Sequence, residues 1–295
     1  MTEPTGAEIM QALRSAGWLL EQDTLSMFRE EGFAAEMGRA YTDPQDGSVS
    51  REIDVFGARE YFRQKDVRLR VVAHLIAECK QSTSPYVLIG RPLTRGERSQ
   101  PPAEHVLRHA TIAGRPIQVN GETVIPQHAA WTRLGLDALP GSPSQDTFRA
   151  TQMTRLTRKQ QWQADNEGIF TSLVYPLAKA LRSLQGDIRP RGSGRHDRQR
   201  DWATVGLFFP MVVTSADICI VDATADEPVP ERRPWATMTR ELKSQSVSGK
   251  FNVDVVEYSH LRDYLDQRVD RFARAVADLA EQEPEEFVRG DLQDP

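Results

Sequence analysis

Two carboxylates and one ammonium stand where hydrophobic runs meet charge. Asp54 lies in Arg51-Glu52-Ile53-Asp54-Val55, and Glu78 and Lys80 close the run Val71-Val72-Ala73-His74-Leu75-Ile76-Ala77-Glu78-Cys79-Lys80. Side chains alternate across a strand, so Arg70, Val72, His74, Ile76, Glu78 and Lys80 share one face while Val71, Ala73, Leu75, Ala77 and Cys79 share the other. Glu78 and Lys80 therefore point the same way. So apolar a run belongs inside a fold, where charges are costly unless they are paired or hold an ion. Two acids and a lysine suit metal-dependent cleavage of a phosphodiester. Carboxylates are hard ligands for Mg²⁺, the ion activates a water and offsets charge growing on phosphate, and the lysine orients or deprotonates the nucleophile. The bland alternative is a buried network of ion pairs with no chemistry, which contributes little stability relative to apolar packing.

The elements that would position these groups read as follows. Residues 5–15 suit a short helix with Ile9, Ala12, Leu13 and Ala16 on one side. A second helix follows from Trp18 to Glu31, with Trp18, Leu25 and Phe28 as its stripe and Gly32 as its stop. Glu21 falls on that stripe, either facing the acids of the sheet or reaching past its edge to water. Next come a strand at Phe33 to Tyr41, a tight reversal at Asp43-Pro44-Gln45-Asp46-Gly47, the strand carrying Asp54, a hairpin connection at Glu60 to Asp66, and the strand ending in Glu78-Cys79-Lys80.

Helix, strand, strand, strand, with Asp54 in the second strand and Glu78-Cys79-Lys80 closing the third, resembles the PD-(D/E)XK nuclease superfamily. The resemblance is specific over roughly residues 15 to 90. It implies an α/β, restriction-endonuclease-like core: a mixed central sheet flanked by helices, here with an insertion after the Glu-x-Lys strand. It implies Mg²⁺, for which Mn²⁺ may substitute, held by Asp54, Glu78 and the Cys79 backbone carbonyl, with Lys80 positioning or activating water and Glu21 as an outer or second metal contact. The substrate so implied is nucleic acid, DNA favoured over RNA, and defence against foreign DNA is a role such nucleases serve. Gln81 would orient substrate or simply leave the strand as a polar residue. Ile53 replaces the proline that usually precedes the aspartate.

The whole chain, residues 1–295, reads as one elaborated domain: 1–90 as the first half of the core, 91–164 as an insertion, 165–282 as the second half, and 283–295 as an acidic, frayed tail. Within the insertion, short helices are expected at Ala103 to His109 and Gln127 to Leu136, and a hairpin at Ile117 to Val124. It would serve either substrate recognition or surface elaboration. A helix from Asp165 to Leu184 should kink at Pro176. Gly186 to Asp201 is a basic loop whose Arg191, Arg195, Arg198 and Arg200 would contact phosphates, or else form a solvated connector. Strands are expected at Thr204 to Phe209, Met211 to Thr214, Asp217 to Asp222 and Phe251 to Tyr258, with Pro210 arguing against one unbroken central strand. Ser259 to Glu281 is the cleanest amphipathic helix, with Leu261, Leu265, Val269, Phe272, Val276 and Leu279 along one side.

Composition sets outer bounds. A net charge of -5 exerts no global pull on nucleic acid, so any binding must use a local patch. Cys79 and Cys219 both sit in apolar runs, which suits buried, reduced thiols in a cytoplasm, and the chain opens with no signal-like segment. No run reaches the length of a membrane span, so no membrane partner is expected. A homodimer through the last helix, an activating protein partner, and a catalytically inactive nucleic-acid-binding or assembly subunit are compatible with the same residues.

Overall fold

A computed structural model describes residues 3–188, 202–244 and 247–288. The hairpin that carries the candidate acids begins it. Strands β1 (Ala34–Thr42), β2 (Ser50–Gln64) and β3 (Leu69–Lys80) form an antiparallel meander, preceded by helices α1 (Gly6–Ala16) and α2 (Trp18–Glu30). The connection between β2 and β3 is shorter than expected. Glu60 to Gln64 remain in the strand, and a bulge at Tyr61 lets the pairing run to Gln64 opposite Leu69.

After β3 come β4 (Tyr86–Pro92), the one-turn α3 (Arg95–Arg98), and two small hairpins formed by β5 (Thr111–Ala113) with β8 (Gln127–Ala129) and by β6 (Ile117–Val119) with β7 (Glu122–Val124). Helix α4 (Ala130–Arg133) and two 3₁₀ turns lead into β9 (Phe148–Arg158) and β10 (Trp162–Asp165). Helix α5 (Tyr175–Ile188) crosses to β11 (Ala203–Thr214), followed by β12 (Ile218–Asp222), β13 (Glu231–Arg232), β14 (Trp235–Lys243) and β15 (Ser248–Glu257). The chain closes with α6 (Leu261–Tyr264), a π-type turn, α7 (Arg271–Gln282) and α8 (Pro284–Val288).

The main sheet is mixed and has 11 strands, ordered β1-β2-β3-β11-β15-β14-β9-β4-β12-β13 with β10 beside β9. Its β1 to β15 portion is the middle of three layers. Along β3, Leu69, Val71, Ala73, Leu75, Ala77 and Cys79 enter the core under α2 and α7, and Ile76 enters the core under α5. The alternation read from sequence is the alternation observed. The predicted stripe of the last helix also packs on this sheet, with Leu261, Leu265, Val269, Phe272 and Val276 fully buried.

Several expectations change. β11 runs unbroken through Pro210, buried throughout between β3 and β15. Pairing with β15 starts only at Met211, so the missing proline N–H interrupts no ladder bond on that side. Residues 103–109 are not helical: Val106 bridges Gly206 of β11, and Glu104 and His105 anchor the segment beneath. β9 and β14, neither apparent as a strand in sequence, belong to the main sheet, so part of the stretch read as an insertion is core. At the β4–β9 bulge only glycine fits, because a Cβ on Gly90 would fall on the Arg149 carbonyl. Trp18 is 62% exposed and not part of the α2 stripe, and α1 buries no residue. Ahead of Pro176 the helix is wound as a π-type turn over Phe170–Val174 before α5 begins at Tyr175. The tail is not frayed at its start: α8 seats Phe287 in the core. Cys219 is half-buried rather than buried, and both thiols are free. No helix among the described residues is long and apolar enough to cross a membrane.

Behind β1, Asp43 is enclosed between Lys179 of α5, at 2.7 Å, and Arg51 of β2, at 3.0 Å, and accepts the Gln45 N–H. Burial alone would raise its pKa, but these hydrogen bonds outweigh it and hold the carboxyl at about 2. An unfolded aspartate titrates near ~4, so the unfolded chain binds the extra proton between about pH 4 and 2 and stability falls as pH drops through that window. Urea unfolding should lose roughly 2 kcal/mol more across it in the parent than in Asp43→Asn. Equal losses would remove Asp43 from the acid response.

Candidate functional site

The site is built where β2 and β3 reach the same rim. Val55 pairs with Ala77, so Asp54 comes beside Glu78-Cys79. Its Oδ2 accepts the Cys79 N–H at 2.8 Å. Opposite Asp54 on the other flank stands Gly38, which the β1 ladder skips and whose φ of 61° is open to glycine at little strain. The Lys80 ammonium donates to Glu78 Oε1 at 2.8 Å, confirming that the two side chains share a face.

The electrostatics tie Glu21 to the group. Glu78 is mostly enclosed, with its side chain 14% exposed. Burial pushes its pKa up to about 7, Asp54 and Glu21 push the same way, and Lys80 opposes them. Burial raises Glu21 too, Asp54 adding to it and Lys80 opposing. Burial disfavours the charge on Lys80, but Glu78 and Asp54 outweigh it and its pKa rises. Three acids that repel one another around one ammonium are an arrangement that added positive charge would relieve.

No protein-family model, curated protein or solved structure gives a significant match to this chain. The site's donors are carboxylate oxygens, the chemistry a hard divalent ion takes. Among the described residues, Asp54 Oδ1 and Glu78 Oε2 accept no hydrogen bond. In the present rotamers, however, no three His, Cys, Asp or Glu side chains of the described residues converge as a ready ligand set. Glu78 is turned onto Lys80.

Other predicted residues fall as follows. Cys79 points away from Glu78 and Lys80, its sulfur 3.6 Å from the Thr24 hydroxyl, and burial raises its thiol pKa. Gln81 is exposed beside Gly17, where α1 meets α2. His74 is no part of the site: it stacks on Phe208 with centroids 4.5 Å apart, neither ring nitrogen finds a partner, and burial lowers its pKa to about 4. Arg191, Arg195, Arg198 and Arg200 lie outside the described residues.

Sequence reasoning missed the support behind the acids. Tyr41 donates its hydroxyl to the Pro176 carbonyl at 3.2 Å, and burial, then Asp43 and, against Arg51, Glu78 raise its phenol to about 12. With the Asp43–Lys179 pair it docks α5 against β1. A signal was present, since Lys179 interrupts the apolar stretch Leu177-Ala178-Lys179-Ala180-Leu181.

Proposed function

We propose that this chain is a Mg²⁺-dependent nuclease that hydrolyses phosphodiester bonds, with DNA as substrate, on a restriction-endonuclease-like core. The observation that carries the reading is the seating of Asp54 on the Cys79 N–H next to the Glu78–Lys80 pair, which draws acids from two strands and a lysine to one rim. Asp54, Glu78 and the Cys79 carbonyl would hold the ion, with Glu21 as a further contact. When bound, Mg²⁺, or Mn²⁺ in its place, supplies an activated water and offsets charge on the phosphate. Release of Glu78 from Lys80 would free a carboxylate oxygen for the ion and an ammonium for the substrate. Lys80 would then position or activate the attacking water beside the scissile phosphate.

The absence of a ready ligand set among the described residues favours a second reading, a nucleic-acid-binding subunit without turnover. Incubating the purified chain with supercoiled plasmid and single-stranded DNA and RNA separates the two. The nuclease reading expects strand breaks with Mg²⁺ or Mn²⁺, suppressed by chelator. Retarded but intact nucleic acid under every metal condition would transfer the case to the subunit.

A further inference from the structure

A concavity lies along the same sheet, beyond β11 and away from the candidate acids. It encloses about 510 Å³, within the roughly 300–1,000 Å³ typical of small-molecule sites. Its floor is the polar face of β9, β14 and β15, formed by Arg149, Thr151, Thr239 and Asn252. Leu93, Pro101, Pro102 and Pro143 supply an apolar wall. The lining holds five cationic residues against the two carboxylates of Glu97 and Glu241, the reverse of a chain whose net charge is -5.

The floor is fixed before any ligand arrives. Arg149 donates to Thr239 and to Asp146, each at 3.1 Å, and to the Asn252 side-chain oxygen. Asn252 Nδ2 is in turn donated to Glu104 at 3.1 Å. Two donors of the lining are left over: Arg149 Nε and Arg240 Nε are both buried without a partner. At the rim, the Glu97 carboxylate accepts from both terminal nitrogens of Arg91, whereas Arg98 and Lys250 form no ion pair among the described residues. An unspent positive rim, a pre-ordered polar floor and a proline-rich wall match a ligand with an anionic group and a flat, partly apolar body.

We propose that this pocket binds a nucleoside phosphate, either free or as one nucleotide of a bound strand, with the phosphate at Arg98 and Lys250 and the base against the prolines. The binding does not rest on the nuclease reading, since none of these residues touches Asp54, Glu78 or Lys80. Calorimetric titration of the full chain with each of AMP, GMP, dAMP, dGMP, dCMP and TMP, with inorganic phosphate alongside, tests it. At least one nucleotide should bind at least tenfold more tightly than phosphate. The double variant Arg98→Glu, Lys250→Glu should weaken it at least tenfold with an unchanged melting temperature, and Lys80→Ala should leave it unchanged. In Lys80→Ala, a 5′-phosphorylated oligonucleotide that displaces the bound nucleotide identifies the strand as the source, and failure to displace it identifies the free nucleotide. No nucleotide binding at millimolar concentration, phosphate binding as tightly, or indifference to the double charge reversal would overturn the proposal. Lost plasmid cleavage with intact nucleotide binding would strike only the nuclease reading.

Discussion

Lys80→Ala is expected to cut DNA about 10²–10⁴-fold more slowly than the parent, the range observed when one group that stabilises or relays charge in a transition state is removed. The ammonium is poised for this role. It sits on Glu78 Oε1, two-thirds shielded from water, and its neighbours hold it charged. Because Lys80 lies at the end of β3, its removal takes little from the apolar core but leaves Glu78 without its partner beside Asp54 and Glu21, so the fold should be kept with a modestly lowered melting temperature. Asp54→Ala and Glu78→Ala should lose cleavage as severely, and unlike Lys80→Ala should also lose any thermal stabilisation that bound Mg²⁺ would give the parent under the proposed function. Asp54→Ala carries a stability penalty of its own, about 1–2 kcal/mol, because the Cys79 N–H is left without its acceptor. Rates from plasmid nicking and melting with and without Mg²⁺ give these quantities together. Parent-like cleavage by any of the three would dismiss the site.

Asp146→Ala is expected to destabilise the fold by about 3–5 kcal/mol, the cost of stranding a buried charge. Asp146 receives both terminal nitrogens of Arg268 at 2.8 Å and one from Arg149 at 3.1 Å. Arg268 is buried, its side chain 10% exposed. Burial works against its charge, but Asp146 and Asp254 prevail and its pKa rises. Asp254 in turn accepts the Tyr264 hydroxyl at 2.7 Å and a bond from Thr237. This network joins the last helical segment to β14 and β15, so its loss is felt in the sheet itself. Urea unfolding of Asp146→Ala measures the effect. Adding Arg268→Met should recover a large part of the loss, since a matched apolar replacement leaves no orphaned charge. If the double variant is as unstable as the sum of its single changes, the pair is not the source.

The first third of the fold was legible because its signals are local. β2 and β3 carry dense apolar runs, the turn at residues 43–47 carries the residue types a reversal needs, and Asp54 and Glu78 lie within or at the end of such a run. β9 and β14 escaped notice for a physical reason. β14 (Trp-Ala-Thr-Met-Thr-Arg-Glu-Leu-Lys) and β9 (Phe-Arg-Ala-Thr-Gln-Met-Thr-Arg-Leu-Thr-Arg) lack the dense apolar run that marks β3, and β9 is further thrown out of register by its bulge against β4, so neither shows a sustained hydrophobic period. Pro210 misled because a proline is excluded from a strand only where a ladder bond needs its N–H.

By itself, the sequence determined the α/β class, the hairpin with Asp54 and the Glu78-Cys79-Lys80 ending, and the amphipathic helix that closes the core, since periodicity and turn chemistry act within a few residues. Only the tertiary structure decided that Asp54 rests on the Cys79 N–H and that Glu78 faces Lys80 within reach of Glu21's charge. It alone showed that buried Asp43 and Lys179 are paired, that buried Arg268 is held by the half-buried Asp146, and that β4, β9, β14 and β15 line a cationic hollow. A charge becomes tolerable inside a protein through a partner from elsewhere in the chain, and local pattern carries no record of which partner that is.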